Sequence, residues 1–188
     1  MNESIKYNLV IKEMILDYLN IDIYERIAKN FRDIEDISIK DNDFQKDFNS
    51  FYKVRRDSNW RNNYYTFFQK NKNRKSITYF EILKAISTAD NVESSFASKM
   101  LATINPNKPI IDKNVLNYFG FKIEGLKKED RIKSAISVYN KIEKEYEKLL
   151  NDKKVKNTIM ELKQLIGKYE LSDIKILDYI LWCKGKKK

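Results

Sequence analysis

Apolar side chains recur at helical spacing near both ends of this chain of 188 residues. The early stripe comprises Tyr7, Val10, Ile11, Met14, Ile15, Tyr18 and Leu19. The late stripe comprises Ile132, Ala135, Ile136, Tyr139, Tyr146, Leu149 and Leu150. Because an apolar residue every three or four positions lines one face of a helix, both segments are predicted to be amphipathic helices.

Shorter segments show the same helical period, and no segment shows the alternation or hairpin dipeptides typical of strands. The shorter helices are predicted over residues 22–31, 42–54, 58–70, 77–88, 93–104, 112–119, 155–168 and 172–183. The sequence therefore predicts an all-α, compact multi-helix fold. Its predicted buried side chains include Trp60, Phe67, Phe96, Met100, Leu101 and Trp182.

Polar and turn-forming residues separate these helices. Residues 71–76 read as a solvated connector before a helix that begins near Ser76 or Thr78, and Gly120 suits a helix C-cap. We predict one helical domain over 1–188, either undivided or in two lobes with a cleft lined by 51–68 and 94–120. Residues 184–188 form a predicted basic tail.

Both prolines of the chain and its first glycine lie in residues 94–120, around the single carboxylate Asp112. Each proline disfavours a helical conformation at the residue before it, so residues 105–109 are predicted to be a turn or extended. Asp112 then stands where a loop meets a helix. This position suits an N-cap, and it also suits a functional carboxylate that faces a cleft. The two roles are compatible.

Arginines and aromatic residues alternate in residues 51–68. Guanidinium groups bind phosphates and flat rings stack on unpaired bases, so this pattern is typical of a nucleic-acid surface. The alternative is that Trp60 and Tyr64 belong to an apolar helix face in the core. The arginines Arg55, Arg56 and Arg61 are then solvated, paired with an acid, or bound to an anion.

The predicted helix 93–104 has one apolar face and a second face of small or cationic residues that includes Ser95, Ser98 and Lys99. Such a face allows close approach of a neighbouring helix or of a phosphate backbone. Lys99 has three alternative roles: a surface lysine, a partner of a phosphate or an acid, and a covalent nucleophile. A nucleophilic lysine needs burial or nearby cations to lower its pKa.

The formal net charge of +10 favours a polyanionic partner, DNA or RNA, although surplus surface lysines from an AT-rich genome are the alternative. The chain has one cysteine and no histidine, which argues against a disulfide framework and a cysteine-based zinc site. Any chemistry is expected to use Asp, Glu, Lys, Tyr or Ser without a cofactor. No apolar run reaches about 18 residues, so we expect no membrane association and a cytoplasmic location.

The segments Phe96-Ala-Ser-Lys-Met-Leu and Lys108-Pro-Ile-Ile-Asp-Lys-Asn-Val, with the closing Phe119-Gly, resemble part of the helix-hairpin-helix DNA glycosylases. That superfamily includes 8-oxoguanine glycosylases and endonuclease III. Its pattern is roughly Pro-x-Val-Asp-x-His-Val, followed by a helix and a glycine. The whole chain also resembles a group of small bacterial proteins that carry Ser-Phe-Ala-Ser-Lys and Asn-Pro-x-x-Pro-x-x-Asp, a resemblance that implies no function.

The glycosylase resemblance implies that Asp112 is the catalytic aspartate and that Ala97 lets the second helix of the hairpin pack closely. Residues 88–93 stand in place of the glycine-containing hairpin and contain no glycine. The family lysine lies nearer to the hairpin than Lys99, and Asn114 stands in place of the histidine.

Two functions follow as hypotheses. The first is a base-excision DNA glycosylase in which Asp112 stabilises an oxocarbenium-like transition state, with Lys99 as a second candidate catalytic residue. The second is a non-catalytic helical protein that binds a nucleic acid or a protein partner. The predicted nucleic-acid contacts are Arg55, Arg56, Trp60, Arg61, Tyr64, Ser95, Ser98, Lys108 and Lys113.

Overall fold

The computed structural model describes residues 21–167 and 169–186. Within these ranges all regular elements are helices, which confirms the all-α prediction. The helices are α1 (Ile21–Asp33), α2 (Asp43–Tyr52), α3 (Ser58–Lys70), α4 (Tyr79–Ile86), α5 (Ser94–Ile104), α6 (Lys113–Phe119), α7 (Lys128–Asn151), α8 (Lys153–Leu165) and α9 (Asp173–Lys186). The predicted helix that contains the early apolar stripe lies outside the described residues.

Local sequence signals place several helix ends. Asp57 caps α3 by accepting a hydrogen bond from the Trp60 amide, and α3 spans the predicted residues 58–70. Thr78 and Glu81 form a reciprocal capping box at the start of α4. Gly120 ends α6 with a φ of 69°, a left-handed conformation that glycine adopts without strain.

The predicted basic tail is corrected in part, because α9 continues through Lys186. Gly185 is buried within its last turn. A Cβ atom added at Gly185 would lie 1.8 Å from the carbonyl oxygen of Asn114. The absence of a side chain therefore lets α9 pack directly on the backbone of α6, which is its most extensive helix contact.

Buried apolar side chains from α1 through α9 form one hydrophobic cluster. Its densest aromatic part lies among α1, α2 and α3, where Phe44 and Phe48 contact the rings of Tyr65 and Phe68. Of the predicted core residues, Trp60, Met100 and Leu101 are buried. The burial prediction is corrected for Phe67, Phe96 and Trp182, which are half-buried at the edge of this core.

Helix α9 is apolar on almost every side and is buried along most of its length. It contacts α6, α7 and α8, so its side chains face the centre of the molecule. Among the described helices, none combines the length and the apolar character that crossing a bilayer requires.

Candidate functional site

A cavity of about 310 Å³ lies between α1, the end of α2, α5, the segment that leads into α6, and α9. Five charged side chains from four segments of the chain line it: Lys53, Lys99, Asp112, Lys175 and Asp178. The remaining lining residues are Ile23, Ser50, Phe51, Tyr52, Ile110, Val115, Tyr179 and Trp182. The predicted cleft segments 51–68 and 94–120 thus contribute only in part, and α9 completes the walls.

The extended segment before Asp112 is held by hydrogen bonds to two helices. The amide of Ile111 donates to Ser98 Oγ on α5 at 3.0 Å. The amide of Ile110 donates to Asp178 Oδ1 on α9 at 3.1 Å. Because these buried backbone groups have side-chain partners, the segment has a fixed position without forming a strand or a helix. Asp112 directly follows it.

Asp112 is the N-cap of α6, as one of its two predicted roles required. Its Oδ1 accepts hydrogen bonds from the amides of Asn114 at 2.9 Å and Val115 at 3.0 Å. The other carboxylate oxygen makes no hydrogen bond within the described ranges. The side chain is half-buried and lines the cavity. The cap therefore orients the carboxylate and leaves one oxygen for a further interaction.

Lys99 is buried, so its role as a surface lysine is corrected. Its Nζ donates to the carbonyl oxygen of Tyr52 at 3.4 Å and lies 4.9 Å from the ring centroid of Phe96. Burial lowers the pKa of the Lys99 ammonium to about 8, and the charge of Asp112 opposes this effect. Lys99 lines the same cavity as Asp112.

The sequence interpretation missed Lys175 and Asp178, which both lie on α9. Asp178 Oδ1 accepts from the hydroxyl of Tyr146 at 2.7 Å in addition to the Ile110 amide. Its Oδ2 is buried and has no hydrogen-bond partner among the described residues. Burial raises the pKa of the Asp178 carboxyl to about 7, while the charge of Lys175 opposes that rise.

A sequence signal for this pair was present. Residues 174–183 include only Lys175 and Asp178 as charged residues in an otherwise apolar stretch. A helix that is apolar on all sides is buried, so its few charges must be buried with it. Such charges need a partner or a function.

Three of the predicted nucleic-acid contacts are corrected because they lie in the interior. Trp60 stacks on Tyr64 with a centroid separation of 4.8 Å, and the Tyr64 hydroxyl donates to the carbonyl oxygen of Phe96. Both rings are buried, as is Ser98. In this conformation Trp60 and Tyr64 belong to the core, and Ser98 holds the segment before Asp112. They cannot stack on bases or contact phosphates.

The predicted cationic contacts differ in their surroundings. Arg56 forms an ion pair with the buried Glu93 at 2.6 Å, and Lys108 forms one with Glu143 at 2.8 Å. Arg55 and Lys113 are exposed. Arg61 and Ser95 are half-buried. The exposed cations Arg55 and Lys113 remain the most accessible of the predicted contacts.

The Ser98 hydroxyl gives a direct test of how the segment before Asp112 is held. We expect Ser98→Ala to lower the free energy of unfolding by about 1 to 2 kcal/mol, because the buried Ile111 amide would lose its acceptor. Ser95→Ala is the matched control, because the Ser98 hydroxyl bonds to the Ser95 carbonyl oxygen and not to its side chain. Urea unfolding measures both variants. An equal loss in the two would contradict the anchoring role of Ser98.

Across residues 21–167 and 169–186, no three Cys, Asp or Glu side chains are grouped closely enough to hold a metal ion. The side chains at the site supply carboxylates, ammonium groups and aromatic rings. No family model, curated protein or solved structure matches this chain.

Proposed function

We propose that this chain is a DNA-binding enzyme that cleaves the N-glycosidic bond of a base, with Asp112 stabilising the transition state. The observation that carries the proposal is the meeting of Asp112 and Lys99 in one cavity with aromatic walls. These two residues are 13 positions apart in the sequence, and each was a candidate catalytic residue from sequence alone.

Asp112 suits the charge that this reaction develops. As the bond to the base lengthens, positive charge grows on the sugar, and a fixed carboxylate in a water-poor site stabilises that charge. The Asn114 and Val115 amides hold Oδ1, so the group does not have to reorient during the reaction. The oxygen without a hydrogen bond is the one available to the sugar.

The cavity suits a base that has left the helical stack. Its volume of about 310 Å³ lies at the lower end of the range for small-molecule pockets, about 300 to 1,000 Å³. The side chains of Phe51, Tyr52 and Trp182 supply flat apolar surface at its walls. An enzyme that acts on a base in DNA must extrude the base into a pocket of this kind.

Cations near the cavity suit the DNA backbone. Lys53 lines the cavity and is exposed, Lys113 directly follows Asp112, and Arg55 is exposed two residues beyond Lys53. Contacts between such side chains and phosphates release counterions, so the affinity for DNA is expected to fall as the salt concentration rises.

The second candidate is a non-catalytic binding protein. The ion pair of Arg56 with Glu93 and the burial of Trp60 and Tyr64 favour the version of it that binds a partner other than a nucleic acid, because they remove expected nucleic-acid contacts. In that case Asp112 acts only as the cap of α6, and the cavity takes a ligand without changing it.

The test is base release from duplexes that contain uracil, 8-oxoguanine or an alkylated base, with a duplex that contains an abasic site as the control that has no base to release. We expect the wild-type protein to release at least one of these bases and Asp112→Asn to lower the rate about 100-fold or more, because the amide keeps the shape and loses the charge. Asparagine caps helices about as well as aspartate, so folding is expected to persist.

Asp57→Asn is the matched control, because Asp57 also caps a helix and lies outside the cavity. We expect it to release the base at the wild-type rate. If the wild-type protein releases no base from any of these duplexes, and Asp112→Asn binds DNA as the wild type does, the glycosylase proposal is wrong and the binding protein is favoured.

A further inference from the structure

Lys175 is a buried ammonium surrounded by aromatic rings. Its Nζ lies 4.3 Å from the ring centroid of Tyr24 and 5.0 Å from that of Tyr179. The rings of Tyr52 and Phe51 lie 5.7 and 5.8 Å away. We call these four rings the aromatic cage. Their faces attract a cation, so the cage partly offsets the cost of removing the charge from water.

The ammonium of Lys175 has no oxygen partner among the described residues. Only 5% of the residue is exposed, and the side chain lines the cavity. The ion pairs of the described residues do not include Lys175, although Asp178 is one helical turn away on α9. Asp178 Oδ1 is held by the Ile110 amide and the Tyr146 hydroxyl instead. Three N–H donors of Lys175 are thus available to a molecule in the cavity.

The charged and titratable groups that face Lys175 come from every neighbouring element. They are Tyr24 of α1, Tyr52 and Lys53 at the end of α2, Lys99 of α5, Asp112 before α6, and Asp178 and Tyr179 of α9. Tyr146 of α7 acts indirectly, because its hydroxyl donates a hydrogen bond to Asp178.

We propose that Lys175 is the general acid that protonates the departing base, a role that rests on the proposed glycosidase function. Asp112 and Lys175 line the same cavity with opposite charges. The carboxylate stabilises the positive charge that grows on the sugar. The ammonium meets the negative charge that grows on the base.

The proton balance of this step closes with water as the second reactant. The bond between C1′ and the base nitrogen breaks, its electron pair stays on the base, and Lys175 Nζ gives the base a proton. Water then forms a bond to C1′ and releases a proton, which restores the ammonium. The products are the free base and an abasic sugar.

The pKa of Lys175 fits this role. Burial lowers the pKa of its ammonium to about 8, the charges of Asp178 and Asp112 oppose this effect, and the charge of Lys99 adds to it. A group with a pKa close to neutrality is charged at pH 7 and gives up its proton more readily than an ordinary lysine. The rate of base release should therefore fall as the pH rises through about 8.

Lys99 and Asp178 are less suited to the same task. Lys99 already donates to the Tyr52 carbonyl oxygen. One oxygen of Asp178 accepts two hydrogen bonds that hold the segment before Asp112, and the other is fully buried.

The experiment compares rates of base release as a function of pH for the wild type and Lys175→Met. Methionine keeps the length and removes the proton. We expect the rate of base release to drop about 100-fold in Lys175→Met. We also expect this variant to lose the decrease in rate that the wild type shows as the pH rises through about 8, which we call the alkaline fall. The drop in rate caused by Lys175→Met should be smaller for a duplex whose target base has a more acidic leaving nitrogen, because such a base departs with less need for a proton. Lys84→Met is the control, because Lys84 lies outside the cavity near the ring of Phe80.

Asp178→Asn distinguishes the two residues of α9 and remains informative if Lys175→Met does not fold. The amide oxygen still accepts from Ile110 and Tyr146, but the negative charge that raises the pKa of Lys175 is gone. The alkaline fall should then move to lower pH. If Asp178 were the acid, the fall would disappear in this variant.

The outcomes separate the two proposals. Base release by Lys175→Met at the wild-type rate, with the same alkaline fall, would overturn the role of Lys175 and leave the glycosidase function intact. An unmoved alkaline fall in Asp178→Asn would overturn it as well. Absence of base release by the wild type from all tested duplexes would overturn the glycosidase function, and this role with it.

Discussion

Replacing Asp178 by alanine is expected to lower the free energy of unfolding by about 3 kcal/mol. The substitution removes the acceptor of the Ile110 amide and of the Tyr146 hydroxyl, and it leaves the Lys175 ammonium without its nearest negative charge on α9. Ile110, Tyr146 and Lys175 are all buried, so water cannot replace the lost carboxylate at low cost. Urea unfolding followed by circular dichroism measures the change.

Asp178→Asn is the matched variant, because its amide oxygen accepts the same two hydrogen bonds. We expect its free energy of unfolding at pH 7 to lie within about 1 kcal/mol of that of the wild type. If alanine and asparagine at this position destabilise the protein equally, the two hydrogen bonds of Asp178 do not contribute as described.

The same pair of proteins has an expected pH dependence. The pKa of Asp178 is raised in the folded protein, so the folded state holds this proton more tightly than the unfolded state does. The stability of the wild type relative to Asp178→Asn should therefore increase as the pH falls from about 7 towards 3.8. A paired surface aspartate would give the opposite slope.

Gly185→Ala is expected to destabilise the protein by about 2 kcal/mol or more, against the general preference of helices for alanine. Helix propensity alone favours alanine over glycine by about 1 kcal/mol. The added Cβ would lie 1.8 Å from the Asn114 carbonyl oxygen, so α9 and α6 must move apart. Overpacking of this kind costs about 1 to 3 kcal/mol, and a contact with backbone leaves no flexible side chain to yield.

Gly167→Ala is the control for this prediction. Its added Cβ would lie 3.4 Å from the Gln164 carbonyl oxygen, which is an ordinary contact. We expect no loss of stability in this variant. A melting temperature for Gly185→Ala at or above that of the wild type would contradict the close packing of α9 on α6.

The helices of this protein could be predicted from sequence because their signals are local. Asp57 and Lys70 delimit α3 where the pattern of polar residues changes, and Asp112 caps α6 where two prolines prevent an earlier start. Apolar spacing within each segment also predicted most of the buried face. These signals depend on neighbours within about one helical turn.

The composition of the site depended on contacts that local signals do not specify. Trp60 and Tyr64 satisfied both the pattern of a base-stacking surface and that of a helix core, and packing against Phe96 decided for the core. Lys175 and Asp178 reach Asp112 only because α9 packs on α6. That contact depends on a glycine whose importance appears only when the two backbones are seen together.

The hydrogen bond between Ile110 and Asp178 joins residues 68 positions apart. During synthesis, Lys99 and Asp112 therefore emerge from the ribosome long before the helix that completes their surroundings. Until α9 has been made and has docked, the amide of Ile110 lacks its side-chain acceptor and the cavity lacks one wall. Nascent chains that stop before α9 would carry Lys99 and Asp112 but would lack both this wall and Lys175, so the proposed base release is expected only after α9 has docked.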